Sequence, residues 1–232
     1  MNSFSGSLTA AFSLLTGMDA LLLDVVLRSL AVSASACVIA SILGLLLGAW
    51  IGVSRFRGRG VVLALLNTAL ALPSVVVGLV VYLLLSRSGP LGFLGWLFSF
   101  KAMVLAQSVL VLPVVVALVR QTIDDADRKH GEQFSSLGAG PLVRSVILLW
   151  DERFALLTVL MAAFGRAISE VGAVMIVGGN IDGFTRVMTT SIALETSKGD
   201  LPMALALGMV LLGVVLLLNG FIGVVKRVVA TQ

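Results

Sequence analysis

The sequence predicts an all-α protein, a bundle of about five helices that cross a membrane. Composition, the lengths of the apolar stretches and the distribution of basic residues support this fold class. Of the 232 residues, 59% are hydrophobic and 12% are charged, against about 45–50% and about 25% in a soluble domain. So few charges could not cover a soluble protein of this length. We therefore treat residues 1–232 as a single transmembrane domain.

Five apolar stretches are long enough to cross a bilayer, which takes about 20 residues. They cover approximately residues 30–53, 61–86, 102–119, 154–178 and 201–225. Residues 91–100 are apolar but short and glycine-rich, which favours a re-entrant or surface segment. Residues 4–27 contain no basic residue, unlike a secretory signal, and predict a polar lead-in followed by an amphipathic helix at the interface.

Basic residues are concentrated in alternate connections. They are frequent in residues 54–60, in the loop 120–153 and in the C-terminal tail. Because basic residues favour the cytoplasmic side, we expect the N-terminus outside, the C-terminus in the cytoplasm and the loop 178–200 outside. This asymmetry accounts for most of the net charge of +4 without a nucleic-acid partner.

The cytoplasmic loop 120–153 is the only sizeable soluble segment. Asp124, Asp125 and Asp127 predict a helix start, because acidic side chains favour a helix N-terminus. The run from Gly138 to Pro141 predicts its end. On the outer side, glycines in the loop 178–200 predict turns, followed by a short helix over residues 186–196 that dips into the outer leaflet.

The residue types exclude several chemistries. One cysteine, Cys37, and one histidine, His130, provide neither an internal disulfide nor a Cys/His metal cluster. A Ser/His hydrolase site would need a histidine within the membrane, and His130 lies in the cytoplasmic loop. We predict no catalytic residues, no metal site and no cofactor bound by this chain. The chain has no Gly-Lys dipeptide and hence no P-loop for ATP.

The first span carries small residues at strict four-residue spacing, which gives one smooth ridge along a helix. These residues are Ala36, Ala40, Gly44, Gly48 and Gly52. Such a ridge allows close approach of another helix. We expect tight packing within the chain, with a homodimer contact as the alternative.

Two prolines lie midway along predicted spans, Pro73 in the second and Pro113 in the third. Each removes a backbone hydrogen bond where water cannot replace it. Ser74, Gln107 and Ser108 lie nearby in the sequence. Broken helices with polar neighbours are typical of transport pathways, although a kink satisfied by a neighbouring helix is an equal alternative for either proline alone.

The fourth span contains two charged residues, Arg166 and Glu170, with Ser169 between them. Arg166 lies about 18 Å along this helix at about 1.5 Å per residue, near the bilayer centre. A charge there costs at least about 2.5–3.5 kcal/mol, and such charges usually face a pathway. The i,i+4 spacing lets the two residues pair. A purely structural ion pair is the alternative.

Residues 132–138, Glu-Gln-Phe-Ser-Ser-Leu-Gly, resemble the EAA loop of ABC importer permeases. Glu132 and Gly138 fit the pattern, whereas Gln133 and Phe134 replace two alanines. The family pattern continues to an Ile-x-Leu-Pro ending, where this chain has Leu148-Leu149-Trp150-Asp151 and so lacks the proline. The resemblance implies that the segment, including Leu137, couples the chain to a cytoplasmic ATPase.

Residues 165–180 look like the oxyanion branch of these permeases, which handles molybdate, sulfate and tungstate. Residues 185–190, Thr-Arg-Val-Met-Thr-Thr, and residues 194–200, Leu-Glu-Thr-Ser-Lys-Gly-Asp, resemble tungstate permeases in particular. The resemblance implies a homodimeric permease in a prokaryotic inner membrane. It further implies an ATPase dimer that holds ATP and Mg²⁺, and an extracytoplasmic oxyanion-binding protein.

Residue chemistry alone leaves the substrate open among these oxyanions. Arg166 and the hydroxyl or amide groups of Ser74, Gln107, Ser108 and Ser169 suit any tetrahedral dianion, with Glu170 tempering the attraction. The function predicted is therefore oxyanion import, with tungstate favoured by resemblance and molybdate or sulfate as alternatives. A secondary transporter and a channel subunit are the competing classes.

Overall fold

A computed structural model of the protein describes residues 4–17 and 20–230. Within these residues the fold is all-α, which confirms the predicted class. The ten helices are α1 (Phe4–Thr16), α2 (Ala20–Val53), α3 (Arg59–Leu70), α4 (Ser74–Leu85), α5 (Phe100–Ser136), α6 (Pro141–Asp151), α7 (Arg153–Ile168), α8 (Gly172–Gly178), α9 (Met188–Lys198) and α10 (Leu201–Ala230). A single 3-10 turn, Gly92–Leu94, lies between α4 and α5.

Three helices are long and apolar enough to cross a membrane by themselves: α2, α5 and the Leu201–Val224 part of α10. Two further spans are broken. α3 and α4 bend by 99° at their junction, and α7 and α8 bend by 57°. Counting each bent pair as one crossing gives the five spans that the sequence predicts.

The chain divides into two compact units. The first comprises Met1–Ala36, Pro73–Gln107 and Gly165–Leu218. In this unit α4 packs closely on α8. The distance is so short that a Cβ added at Gly78 would lie only 2.7 Å from the Cα of Ala173. The 91–100 segment is held to the end of α8, where the Phe98 N–H donates to the Val177 carbonyl at 2.9 Å.

The second unit comprises Cys37–Leu72, Ser108–Phe164 and Asn219–Gln232. Here the small-residue ridge of α2 lies against a row of branched side chains on α5. A Cβ at Gly44 would come within 2.6 Å of Val115, one at Gly48 within 2.8 Å of Val119, and one at Gly52 within 3.0 Å of Ile123. The prediction of tight packing within the chain is confirmed for these three glycines.

Two expectations about helix boundaries are wrong. The polar lead-in predicted within residues 4–27 is itself helical, as α1, and the interfacial helix predicted after it is the start of the long helix α2, which begins at Ala20. For Pro113 the structure shows no break, because this proline lies inside the continuous helix α5, which leaves the kink as the alternative that applies there. Asp124, Asp125 and Asp127 also lie inside α5, so they start no helix. Asp124 there is buried among arginine side chains, which stabilise its charge within a helix.

The predicted stop at residues 138–141 is confirmed. α5 ends at Ser136 and Gly138 adopts a positive φ of 76°, a conformation that a Cβ disfavours. Pro141 then opens α6, where its missing N–H has no helical partner to lose. The helix expected over residues 186–196 is also present, as α9.

One transmembrane domain over residues 1–232, an N-terminus outside and a C-terminus in the cytoplasm stay predictions. Lys226 and Arg227, on which the cytoplasmic C-terminus depends, lie in the last turns of α10.

Candidate functional site

Glu170 lies in the break between α7 and α8 and is the centre of the candidate site. Its side chain is 4% exposed. The carboxylate accepts hydrogen bonds from Arg166 Nη1 at 3.0 Å and from the Ala173 N–H at 3.3 Å, and it also pairs with the Ser74 hydroxyl. A buried carboxylate with three donors is well stabilised without water.

Arg166 is placed differently from its partner. It occupies the last turn of α7, and 52% of its side chain is exposed although Glu170 is buried. Ser169 is exposed as well, and its hydroxyl donates to the Gly165 carbonyl at 2.9 Å. The buried end of the ion pair is therefore the anion and its exposed end is the cation. A guanidinium has five N–H donors, so Arg166 retains donors that could bind a further anion.

The starts of α4 and α8 lie against each other. Pro73 precedes α4 with extended backbone angles, φ −62° and ψ 130°, which a proline ring favours. A Cβ at Gly172 would fall 2.8 Å from Ser74 Oγ. The predicted break at Pro73 is confirmed, and it delivers the Ser74 hydroxyl to the carboxylate of Glu170.

Gln107 secures the end of α7. Its Nε2 donates to the Ala167 carbonyl at 2.6 Å and to Ser33 Oγ at 3.4 Å. The carbonyl of Ala167 is among those that a helix end leaves without an intrahelical partner. Gln107 Oε1 is buried without a partner among the described residues. The amide thus retains one free acceptor beside the break.

Of the six predicted pathway residues, the structure brings five into the first unit: Ser74, Gln107, Arg166, Ser169 and Glu170. Ser108 is buried in the second unit. Sequence reasoning missed Thr189 of α9, whose hydroxyl donates to the Glu170 carbonyl at 2.7 Å. A threonine within a polar outer loop gave no signal of this contact.

The outer loop is folded back onto α8. Thr185 Oγ1 donates to the Gly178 carbonyl at 2.6 Å and accepts from the Ile181 N–H at 2.9 Å. Thr185 and Met188 are buried, whereas Asp182 and Lys198 remain accessible. The exposed surface of this loop is therefore formed by its turn and by the end of α9.

The EAA-like segment occupies the end of α5. Glu132, Gln133 and Leu137 are exposed, Phe134 is half-buried and Gly138 forms the turn. The turn is closed by the Ala139 N–H, which donates to the Phe134 carbonyl at 2.9 Å. Glu132 and its neighbours are thus available at a surface, as a docking segment requires.

Helix α6 extends this surface with an apolar face that sequence reasoning did not single out. Its exposed large side chains are Leu142, Val143, Val146 and Trp150. Ser145, on the other side, is buried and donates to the Ala49 carbonyl at 3.3 Å. The apolar periodicity of residues 141–151 is the signal that could have identified this amphipathic helix.

Comparison with known proteins identifies the class. Residues 22–230 match the family described as "Binding-protein-dependent transport system inner membrane component". This match covers most of the chain, so the protein belongs to that family. It is an inner-membrane, multi-span component of a transport system of the ABC permease class.

Three relatives are similar to this chain over most of their length. The tungstate uptake system permease protein TupB of Peptoclostridium acidaminophilum is 42% identical, over 92% of this chain and 93% of that protein. A probable anion ABC transporter permease protein of Haloferax volcanii is 40% identical, over 85% and 88%. TupB of Campylobacter jejuni subsp. jejuni is 40% identical, over 75% and 72%.

Proposed function

We propose that this chain is the membrane permease of an ATP-driven importer of tungstate. The observation that carries the proposal is the half-exposed guanidinium of Arg166, which is held at a helix break by the buried carboxylate of Glu170. Tungstate is favoured over other oxyanions by the similarity to two tungstate uptake permeases. The same chemistry would serve molybdate or sulfate, which are the alternatives.

The ion pair suits transient contact with a dianion. A guanidinium binds a tetrahedral oxyanion through paired N–H groups. An arginine without a counter-charge would hold a dianion too tightly for transport, and it would cost more to bury. Glu170 offsets part of that charge, so Arg166 provides a weak, reversible site rather than a trap.

The neighbouring polar groups would supplement this contact. Ser169 lies exposed one turn from Arg166, and the hydroxyl of Ser74 and the amide of Gln107 lie at the same break. Ser108 follows Gln107 in α5 and is the sixth residue assigned to the pathway. Rearrangement of α7 and α8 at their break would change which of these donors an anion meets.

A homodimer would complete the pathway, because a single chain leaves much of its apolar surface uncovered. None of the residues of α3, all of which are described, is buried. In the most apolar stretch of α10, only 17% is buried within the chain. A second copy or lipid must cover such surfaces. We assign the second copy to the side that carries exposed Arg166, so that two cationic groups flank one route.

Energy for transport would come from a partner, since the chain has no P-loop. We assign ATP and Mg²⁺ to a cytoplasmic ATPase dimer that docks on Glu132, Gln133, Phe134, Leu137 and Gly138. An extracytoplasmic binding protein would deliver the oxyanion to the loop 178–200. This arrangement follows the predicted orientation, with the C-terminus in the cytoplasm.

Uptake into reconstituted vesicles tests this function. The chain is reconstituted with its ATPase and binding protein, and tungstate uptake is measured with equimolar molybdate or sulfate as competitor. We expect uptake to require ATP and both partners, and to fall much less with sulfate or molybdate than with unlabelled tungstate. Uptake without the ATPase would contradict an ABC permease, and equal competition by all three anions would contradict tungstate selectivity.

A further inference from the structure

Four arginine side chains converge on one buried carboxylate in the second unit. Asp124 of α5 accepts from Arg55 at 3.1 Å, from Arg59 at 3.2 Å and from Arg128 at 2.9 Å. Arg120 lies within 3.9 Å of the same carboxylate. We call these five residues the arginine cluster.

The arginine cluster has more positive charge than its own chain neutralises. Four guanidinium groups share the single carboxylate of Asp124, which is 4% exposed. Arg55 and Arg128 are 56% and 66% exposed, so their remaining N–H groups face outward. Arg120 Nε is buried and has no partner among the described residues. An ion pair that served stability alone would need only one or two of these arginines.

The chemistry of the guanidinium groups favours one kind of ligand. Each presents several N–H donors in a planar fork, the arrangement that matches phosphate oxygens. All four lie within 3.9 Å of the carboxylate of Asp124, which places them near one another. A phosphate-like anion beside Arg55 and Arg128 would neutralise the excess charge of the cluster.

The position of the cluster indicates where such an anion comes from. Arg120 lies 20 residues after Phe100 in α5, about 30 Å along the helix axis, which is the thickness of the hydrocarbon core. On α2, Trp50 stacks on Phe56 with ring centroids 5.1 Å apart. Aromatic side chains of this kind are typical of the headgroup level.

Apolar side chains next to the cluster would contact the acyl chains below a headgroup. Arg59 begins α3, and the first turns of that helix expose Val61 and Leu65. On α2, Leu46 and Leu47 are exposed one turn before Trp50. A free anion would need only the guanidinium groups, whereas a lipid would use both the charges and this apolar surface.

We propose that the arginine cluster binds the phosphate of an anionic phospholipid at the headgroup level of the membrane. The lipid would lie with its phosphate beside Arg55 and Arg128 and its acyl chains along the exposed side chains of α2 and α3. The arginine cluster shares no residue with the candidate oxyanion pathway, and the proposal does not depend on the proposed function.

Native mass spectrometry of the purified full-length protein tests this site. The protein is delipidated in mild detergent and titrated with phosphatidylglycerol or phosphatidylcholine. We expect tighter binding of phosphatidylglycerol to the wild type. Arg55→Gln and Arg128→Gln should each weaken it by about five-fold, and the double variant by roughly 25-fold, since an arginine near an anionic lipid surface contributes about that factor.

Lys129→Gln is the matched control, because Lys129 is exposed on the same helix but outside the cluster. This variant should keep the wild-type preference. Arg128→Lys keeps the positive charge and should retain most of the preference for phosphatidylglycerol. This variant distinguishes a loss of charge from a loss of folding as the cause of weaker binding in Arg128→Gln. Equal binding of the two lipids by the wild type would overturn the proposal, and so would an equal loss in Arg128→Gln and Lys129→Gln.

Free anions distinguish a lipid site from a site for a soluble ligand. The same titration is repeated with millimolar inorganic phosphate or tungstate. We expect either anion to displace little phosphatidylglycerol, because neither uses the apolar side chains. Complete displacement at these concentrations would assign the cluster to a soluble anion and would refute the lipid proposal.

Discussion

Gly78 is the position where one added methyl group should disturb the candidate site most directly. In Gly78→Ala the new Cβ would lie 2.7 Å from the Cα of Ala173. Carbon atoms in contact are normally about 3.5–4.0 Å apart. Helix α8 would therefore have to move away from α4 by about 1 Å. The atom in the way belongs to the backbone, so no side-chain rotation relieves the overlap.

The expected cost follows from this overlap. Overpacking of a close-packed site typically costs about 1–3 kcal/mol. The higher helix propensity of alanine recovers about 0.5–1 kcal/mol. For a chain of this size each kcal/mol corresponds to about 2–4 °C in the midpoint of thermal unfolding. The net cost is then at most about 2.5 kcal/mol, so we expect Gly78→Ala to lower that midpoint by up to roughly 10 °C.

Thermal unfolding of the detergent-solubilised protein, followed by tryptophan fluorescence, measures this change. Gly213→Ala is the matched control, since it makes the same substitution in α10, where a Cβ meets nothing within 4 Å. The control should unfold at the wild-type temperature or slightly above it. Tungstate uptake should fall in Gly78→Ala, because the shift moves the Ala173 N–H away from Glu170. The reasoning is refuted if both variants unfold at the same temperature.

Three further predictions concern the pathway and the two docking surfaces. Arg166→Ala should reduce oxyanion uptake by at least ten-fold, and wild-type uptake in this variant would make the pair structural only. Glu170→Gln keeps the size and one acceptor oxygen and should damage assembly less than Arg166→Ala does. Gly138→Leu should uncouple ATP hydrolysis from uptake or weaken ATPase assembly, because a bulky side chain is strained at a φ of 76°; copurification and normal coupling would argue against docking there. Cysteines at Asp182 and Lys198, which are accessible, should crosslink to the binding protein, and failure at both sites in an intact complex would remove this loop from the interface.

The sequence predicted the class, the number of crossings and the charged pair for clear physical reasons. Stretches of about 20 apolar residues are typical of membrane crossings, and Pro73 lacks the N–H that donates a helical hydrogen bond, which made a break there one of two expectations. Arg166 and Glu170 were identifiable because charges are costly inside a membrane. The spacing of the α2 glycines likewise predicted a close helix contact.

Other features depend on contacts that local sequence does not encode. Pro113 stays within α5, although proline usually interrupts a helix. Asp124 lies mid-helix because arginines from the 54–59 connection reach it, and nothing near Asp124 in the sequence indicates those partners. The contact of Thr189 with the Glu170 carbonyl joins α9 to the break 19 residues earlier. Such contacts become visible only once the chain is folded.

The burial of Thr185 shows the same limit. A threonine beside glycines in a polar loop is usually exposed. Here its hydroxyl is used twice, by the Gly178 carbonyl and the Ile181 N–H, and the residue is 1% exposed. A crosslinking experiment therefore needs Asp182 in its place.

The contact between α2 and α5 also restricts how this protein can diverge. The side chains that fill this contact belong to α5, namely Val115, Val119 and Ile123, because the three glycines that face them on α2 have no side chains. At Gly44 the close contacts of an added Cβ are confined to the side chain of Val115, at 2.6 and 2.8 Å, so a larger residue there would be acceptable only if residue 115 became smaller in the same lineage. We therefore expect substitutions at these two positions to be inherited as reciprocal pairs, which covariation between positions 44 and 115 in a deep set of relatives would reveal.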